Sequence, residues 1–143
     1  MTAGNKVIFI VNPLSGEGRT SKQWQKVERL LRKKNYCFDV QFTERSMHAC
    51  QITRDALQKG YNHIIAVGGD GTINEVVNGF FQNADAINHA AALSVLPMGT
   101  GSDFARVLSV PGGAAYAEKL LIDYREQPCD VIKAEFTAWD GSP

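Results

Sequence analysis

Three short segments of this 143-residue chain concentrate the residue types that handle phosphate. They are Asn12-Pro13-Leu14-Ser15-Gly16-Glu17-Gly18, Gly68-Gly69-Asp70-Gly71-Thr72 and Gly99-Thr100-Gly101-Ser102-Asp103. Glycine lets the backbone approach an anion closely, and the free amides of a helix N-terminus add donors and a favourable dipole. A tight turn would account for any one of these loops, whereas three in one chain predict a nucleotide-phosphate site. No Walker pattern occurs, and Gly16-Glu17-Gly18 lacks the third glycine of a dinucleotide fingerprint.

Asp70 is the most informative residue, because a carboxylate in a phosphate loop is repelled unless a divalent cation or a substrate hydroxyl shares the site. Mg²⁺ takes carboxylate, water and phosphate oxygens, and in phosphoryl transfer an Asp can instead orient and deprotonate the attacking hydroxyl. The plain structural reading is an Asp that stabilises its own turn. Thr72-Ile73-Asn74-Glu75 fits a capping box, so Glu75 caps its own helix, contacts a ligand, or does both. Asp103 stands in the same relation to Thr100. Asn74 and Asn78 lie four apart, opposite an apolar stripe, to line a pocket or face water. His48, His63 and His89 have no partner at useful spacing and receive no role.

The elements that must position these loops alternate along the chain. Val7–Val11 and His63–Val67 read as strands covered on both faces, and Ala92–Leu96 as a further strand broken by Pro97. Phe38, Val40 and Phe42 alternate with polar residues, the pattern of a strand near an edge. Helices are predicted over 21–34, with Trp24, Val27, Leu30 and Leu31 on one face, and over 47–59, stopped by Gly60. Ile73, Val76, Val77, Phe80 and Phe81 mark a third helix, and shorter ones are expected over 103–108 and 114–124. Strands alternating with helices make right-handed βαβ units, so the expected fold is α/β, a three-layer open, mostly parallel sheet with helices on both faces. In such sheets ligands bind beyond the carboxyl ends of the strands, where the three loops lie. Residues 128–136 alternate like one more strand, the start of a further domain or an edge strand of this sheet.

Fifteen Lys/Arg balance fifteen Asp/Glu, which gives no general reason to expect a nucleic-acid partner. The balance hides an asymmetry: residues 1–71 hold eleven Lys/Arg and six Asp/Glu, while residues 72–143 hold four and nine, so the halves carry +5 and −5. The basic excess centres on the first helix and is read as a solvated face, or as an attraction for anionic lipid headgroups. The run Val7–Val11 is far short of the ~20 residues of a membrane span. It also runs into Asn12-Pro13 rather than a signal cleavage site. Cys37, Cys50 and Cys129 show no pairing or zinc-ligand spacing and are read as reduced thiols of a cytoplasmic protein.

Asn12-Pro13-x-Ser15-Gly16, the twelve residues Gly68 to Gly79 (GGDGTINEVVNG) and Pro97 to Arg106 (PMGTGSDFAR) resemble, in order, the three motifs of the diacylglycerol kinase catalytic domain family. That family includes bacterial lipid kinases and the sphingosine and ceramide kinases, and its N-terminal domain is Rossmann-like, as in NAD kinases. The resemblance implies ATP- and Mg²⁺-dependent phosphorylation of a lipid alcohol such as diacylglycerol. It places Asn12, Ser15 and Thr43 by the nucleotide, has Gly68, Gly69, Asp70, Gly71, Thr72, Ile73 and Asn74 cradle the phosphates with Glu75 beside them, and closes the site with Gly99, Thr100 and Asp103. Asp70 is the implied catalytic residue, through Mg²⁺ or on the acceptor hydroxyl, and no residue is assigned as a metal ligand. The chain departs from the family at Ser102, usually Asn, and at Met47, commonly Gly.

Family members of this type are about twice as long, with a β-sandwich after the α/β domain. The resemblance therefore divides the chain into an ATP-binding domain over 1–127 and a tail over 128–143 that begins a second domain, and it implies a fragment inactive by itself. The implied setting is cytoplasmic, peripheral at the inner face of an anionic membrane, with homo-oligomers allowed. Competing readings are an NAD-kinase-like enzyme for a soluble substrate and a non-catalytic nucleotide-binding module.

Overall fold

The computed structural model describes residues 4–98, 102–135 and 137. Four parallel strands, β1 (Val7–Val11), β2 (Asp39–Phe42), β3 (His63–Gly68) and β6 (Ala92–Pro97), form one sheet in the order β2-β1-β3-β6. Pairing is in continuous register, Val7 opposite His63 through Val11 opposite Val67, and His63 opposite Ala92 through Gly68 opposite Pro97. β2 lies at an edge, as its alternating pattern predicts.

Because side chains alternate across a strand, β1 divides its residues between two cores. Val7, Phe9 and Val11, with Ile65, Val67 and Leu96, pack under α1 (Arg19–Lys33) and α5 (Ala114–Ile122). Ile8 and Ile10, with Ile64, Ala66 and Val95, pack under α2 (His48–Gln58) and α3 (Asp70–Gly79). Trp24 anchors the first core, its ring 4.9 Å from that of Phe9. The expected sheet with helices on both faces is thus observed. Among the described residues no helix is long and apolar enough to cross a membrane.

One sequence expectation is corrected, and of the two alternatives for the tail the edge strand of this sheet is excluded over residues 128–135. α3 ends at Gly79, and Phe81 enters a short hairpin, β4 (Phe81–Gln82) with β5 (Asp85–Ala86). Asn83 and Ala84 turn that hairpin with φ of 52° and 68°. The apolar spacing through Phe81 fits a helix equally well, but a turn with two left-handed residues fits only a hairpin. Residues 128–135 form no strand and are exposed, because an alternating segment gains regular structure only with a partner strand, and none lies beside it among the described residues. Phe136 lies outside them.

Candidate functional site

β1, β3 and β6 all end at one edge of the sheet, and there the loops that follow them meet. The Asn12 side chain donates from Nδ2 to Thr72 Oγ1 at 3.1 Å and accepts from the Leu14 amide at 3.1 Å. Ser15 Oγ donates to the Asn12 carbonyl at 2.9 Å and lies 2.7 Å from Oγ1 of the buried Thr20, which reaches the Met98 carbonyl at 3.4 Å. The loops after β1, β3 and β6 are therefore joined by side chains. Gly68 makes the junction possible: a Cβ there would lie 2.6 Å from Thr72 Oγ1 and 3.3 Å from Ser15 Oγ.

The second loop is shorter than its glycines suggest. Only Gly69 separates β3 from α3, and no side chain caps the first turn of that helix. Its leading amides, at Asp70, Gly71 and Thr72, are the orphan donors that make a helix N-terminus an anion site. Ile73 is buried in the second core, and its amide bonds the Gly69 carbonyl, so it serves the fold and does not face the loops. Asn74 and Asn78 are exposed and bonded to each other, Asn78 Nδ2 to Asn74 Oδ1 at 3.1 Å.

Asp70 does not stabilise its own turn. Its carboxylate reaches α4 (Asp103–Val107), accepting from the Asp103 amide at 2.8 Å, the Phe104 amide at 3.2 Å and Ser102 Oγ at 3.1 Å. The Asp103 amide foremost holds the carboxyl below the ordinary aspartate range, aided by the Phe104 amide, the Ser102 hydroxyl and Arg106, against desolvation. Ser102, the residue that departs from the family's Asn, does two jobs: it donates to Asp70 and accepts from the Ala105 amide as the N-cap of α4. Asp103 directs its own side chain outward to Arg106 at 2.9 Å.

Glu75 likewise overturns the capping box. α3 starts at Asp70, which puts Thr72 inside the helix, and Glu75 turns to the neighbouring helix α2. It accepts from the Met47 amide at 2.9 Å and the Ala49 amide at 3.2 Å. Met47 holds a left-handed φ of 61°, the conformation favoured by the glycine common at this position in the family. Glu75 thus fixes the entry to α2 and with it one wall of an open cleft of ≈ 210 Å³, whose lining includes Asn12, Thr43, Arg45, Thr72 and Glu75. Thr43 is buried there, its amide bonded to the Val11 carbonyl at 2.9 Å.

Of the residues expected at the site, Asn12, Ser15, Thr43, Gly68, Gly69, Asp70, Gly71, Thr72 and Glu75 gather at this edge. Gly99 and Thr100 lie outside the described residues. Sequence reasoning missed Thr20, whose hydroxyl bridges two loops; its place at i on the face that Trp24, Val27 and Leu31 continue at i+4, i+7 and i+11 was the available signal. It also gave no role to His63, fully buried at the opposite end of β3.

Comparisons with known proteins bear on the chain as a whole. The sequence model of the family described as "Diacylglycerol kinase catalytic domain" matches residues 6–134. The chain is 36% identical over 125 residues to a diacylglycerol kinase of Staphylococcus haemolyticus, covering 87% of this chain and 37% of that protein. It is 35% identical over 120 residues to "Probable lipid kinase YegS-like" of Klebsiella pneumoniae, covering 84% of this chain and 39% of that one. Among solved structures, a diacylglycerol kinase from Bacillus anthracis superposes with a TM-score of 0.62 at 29% identity, covering 83% of this chain and 42% of that one. The chain therefore spans about two fifths of the length of the relatives it matches.

Proposed function

The chain belongs to the diacylglycerol kinase catalytic domain family, and from that premise we propose that it supplies the ATP-binding part of a kinase that transfers the γ-phosphate of ATP to the hydroxyl of a lipid alcohol such as diacylglycerol. The observation that carries this reading is the side-chain junction at the carboxyl edge of the sheet, where Asn12, Ser15 and Thr72 close around Gly68 beside the uncapped N-terminus of α3. Such a cradle offers backbone amides and hydroxyls to phosphate oxygens, with the helix dipole favouring their charge.

In the proposed transfer the bond from the γ-phosphorus to its bridging oxygen breaks as the lipid oxygen bonds to phosphorus, ADP leaves and the hydroxyl proton is released. The chain's own residues bind and orient. The amides of Asp70, Gly71 and Thr72 meet the phosphates, and Thr43 and Arg45 border the cleft at the nucleotide's side. Asp70, held ionised by three donors, is a poor proton acceptor near neutral pH and better suited to a cation. The donor set fits Mg²⁺, which is usually held by one or two carboxylates with phosphate oxygens and water completing the shell. Among the described residues no cluster of three His, Cys, Asp or Glu forms a site of its own. Mg²⁺ there would neutralise charge developing on the phosphates. The setting proposed with this reaction is cytoplasmic, at the membrane that holds the lipid.

The test is binding and transfer measured separately. Calorimetry of the chain with ATP, with and without Mg²⁺, is expected to show Mg²⁺-dependent binding that Asp70→Asn weakens at least tenfold while the circular dichroism spectrum is unchanged. Transfer of labelled phosphate to diacylglycerol is then assayed with a full-length relative carrying the same substitution. A folded chain without measurable affinity for ATP refutes the proposal, and phosphorylation of NAD in place of lipid assigns the site to a soluble substrate.

A further inference from the structure

The segment between β2 and α2 walls the open cleft, with Thr43, Glu44, Arg45 and Ser46 all lining it. It is pinned at several points. The Thr43 amide donates to the Val11 carbonyl, Arg45 Nη2 donates to Gln51 Oε1 at 2.9 Å, and the Glu75 carboxylate takes the Met47 and Ala49 amides. A further pin comes from a histidine that the proposed transfer leaves unused: the Glu44 amide donates to Nδ1 of His48, the first residue of α2, at 3.0 Å.

That bond fixes the state of the ring. Because Nδ1 accepts, the imidazole is neutral and carries its proton on Nε2. A second proton would turn Nδ1 into a donor facing the Glu44 amide, another donor, and the bond would be lost. The site opposes the cation further, since the first turn of a helix carries the positive end of its dipole. The charged neighbours are Glu44 and Arg45 in the same segment and Glu75 from α3. Arg45 is committed to Gln51 and Glu75 to two amides, so only the Glu44 carboxylate is left to favour the cation. Of the side-chain types that hold this wall, only imidazole ordinarily changes charge between about pH 5 and 8. We infer that His48 is a positioning residue of the cleft: its neutral ring holds the 43–46 wall in place, and its protonation releases the wall and lowers affinity for a nucleotide polyphosphate. The link to nucleotide rests on the kinase reading, while the hold of the ring on the Glu44 amide stands independently of it.

The test compares the 143-residue chain with His48→Asn, which keeps an acceptor at that place and cannot titrate, and with His48→Ala, which removes the acceptor. Nuclear magnetic resonance of nitrogen-15-labelled chains between about pH 7.5 and 5.5, without nucleotide, is expected to show the Glu44, Arg45 and Ser46 amide signals moving with the His48 ring in the wild type and standing still in His48→Asn. Calorimetry with Mg²⁺ and ATP reads the consequence. One hydrogen bond is worth a factor of roughly three to ten, so His48→Asn should match the wild type near pH 7.5 and bind tighter than it by that factor near pH 5.5, while His48→Ala should be weaker than the wild type by the same factor near pH 7.5. Titration of His63 and of the phosphates is common to all the chains and cancels in these ratios. His89→Asn, at an exposed position outside the cleft lining, should follow the wild type throughout. A Glu44 signal that ignores the His48 ring, or ATP affinities with the same pH dependence in the wild type and His48→Asn, overturns the inference and leaves the kinase reading standing. Affinity that rises on acidification only where His48 is present overturns it too, in favour of direct contact between imidazolium and phosphate. Amide signals that follow the ring in a chain that binds no ATP uphold the hold of His48 on the wall and retire the kinase proposal alone.

Discussion

Replacing His63 by glutamine is expected to remove most of the pH dependence of folding in mildly acidic solution. His63 is fully buried at the start of β3, its Nε2 2.8 Å from Ser94 Oγ, its ring 4.1 Å from that of Tyr124, and its Nδ1 without a partner among the described residues. Burial lowers its pKa from 6.5 to about 4, so the folded chain keeps the ring neutral where the unfolded chain protonates it. The unfolded state then binds more protons across that window, and stability falls as pH falls from 6.5 toward 4. The loss from this one group is negligible above about pH 7, about 2 kcal/mol near pH 5, and levels off at about 3 kcal/mol below pH 4. Asp70, Glu118 and Glu135 are held below their ordinary values, so the stability they contribute is lost only below about pH 4.5 and leaves the window between pH 5 and 7 clear. Urea denaturation followed by far-ultraviolet circular dichroism at several pH values measures the slope. The wild-type chain should lose stability between pH 7 and 5 while His63→Gln, whose amide can still reach Ser94, stays level. Parallel slopes for the two chains would refute the argument.

Gly79→Ala should destabilise the chain by about 1–3 kcal/mol, because a Cβ there would sit 2.5 Å from the Cys50 carbonyl oxygen and 2.5 Å from Thr53 Cβ, forcing α2 and α3 apart; the denaturation midpoint reports it. Gly68→Ala, at a φ of +156° and with Thr72 Oγ1 2.6 Å from the added Cβ, should lower the melting temperature as Gly79→Ala does and, unlike it, cut the affinity of the folded chain for ATP at least tenfold in calorimetry. Met47→Gly, at a left-handed φ of 61°, should stabilise the chain by about 1 kcal/mol, read as a higher melting temperature.

The order of elements was legible because each core strand is a short β-branched run and each helix repeats its apolar residues at 3.6-residue spacing. The edge position of β2 followed from Asp39 and Gln41 alternating with Val40 and Phe42, and the stop after α2 from Gly60. The gathering of Asn12, Gly68 and Thr72 followed from the topology alone, since parallel strands deliver all their following loops to one edge. The partners of Asp70 and Glu75 were not legible. Local rules assign a carboxylate to the nearest amides in sequence, and both side chains instead serve amides that tertiary packing brings close, 33 residues away for Asp70 and 28 for Glu75. The hairpin after α3 was hidden for a related reason: Phe80 and Phe81 continue a helical period that the backbone of Asn83 and Ala84 does not permit.

The reach of Asp70 across to Ser102, Asp103 and Phe104 makes two helices thermodynamically linked. If a cation or phosphate binds at the head of α3 as proposed and changes how strongly that carboxylate holds α4, the coupling is reciprocal: a factor gained in order at α4 is returned as the same factor in affinity at the loop. α4 exposes Phe104 and Val107, and Leu108 just after it is exposed too. On the proposed reading, a molecule settling on those side chains would act on ligand affinity at Asp70 only so far as it alters those three hydrogen bonds.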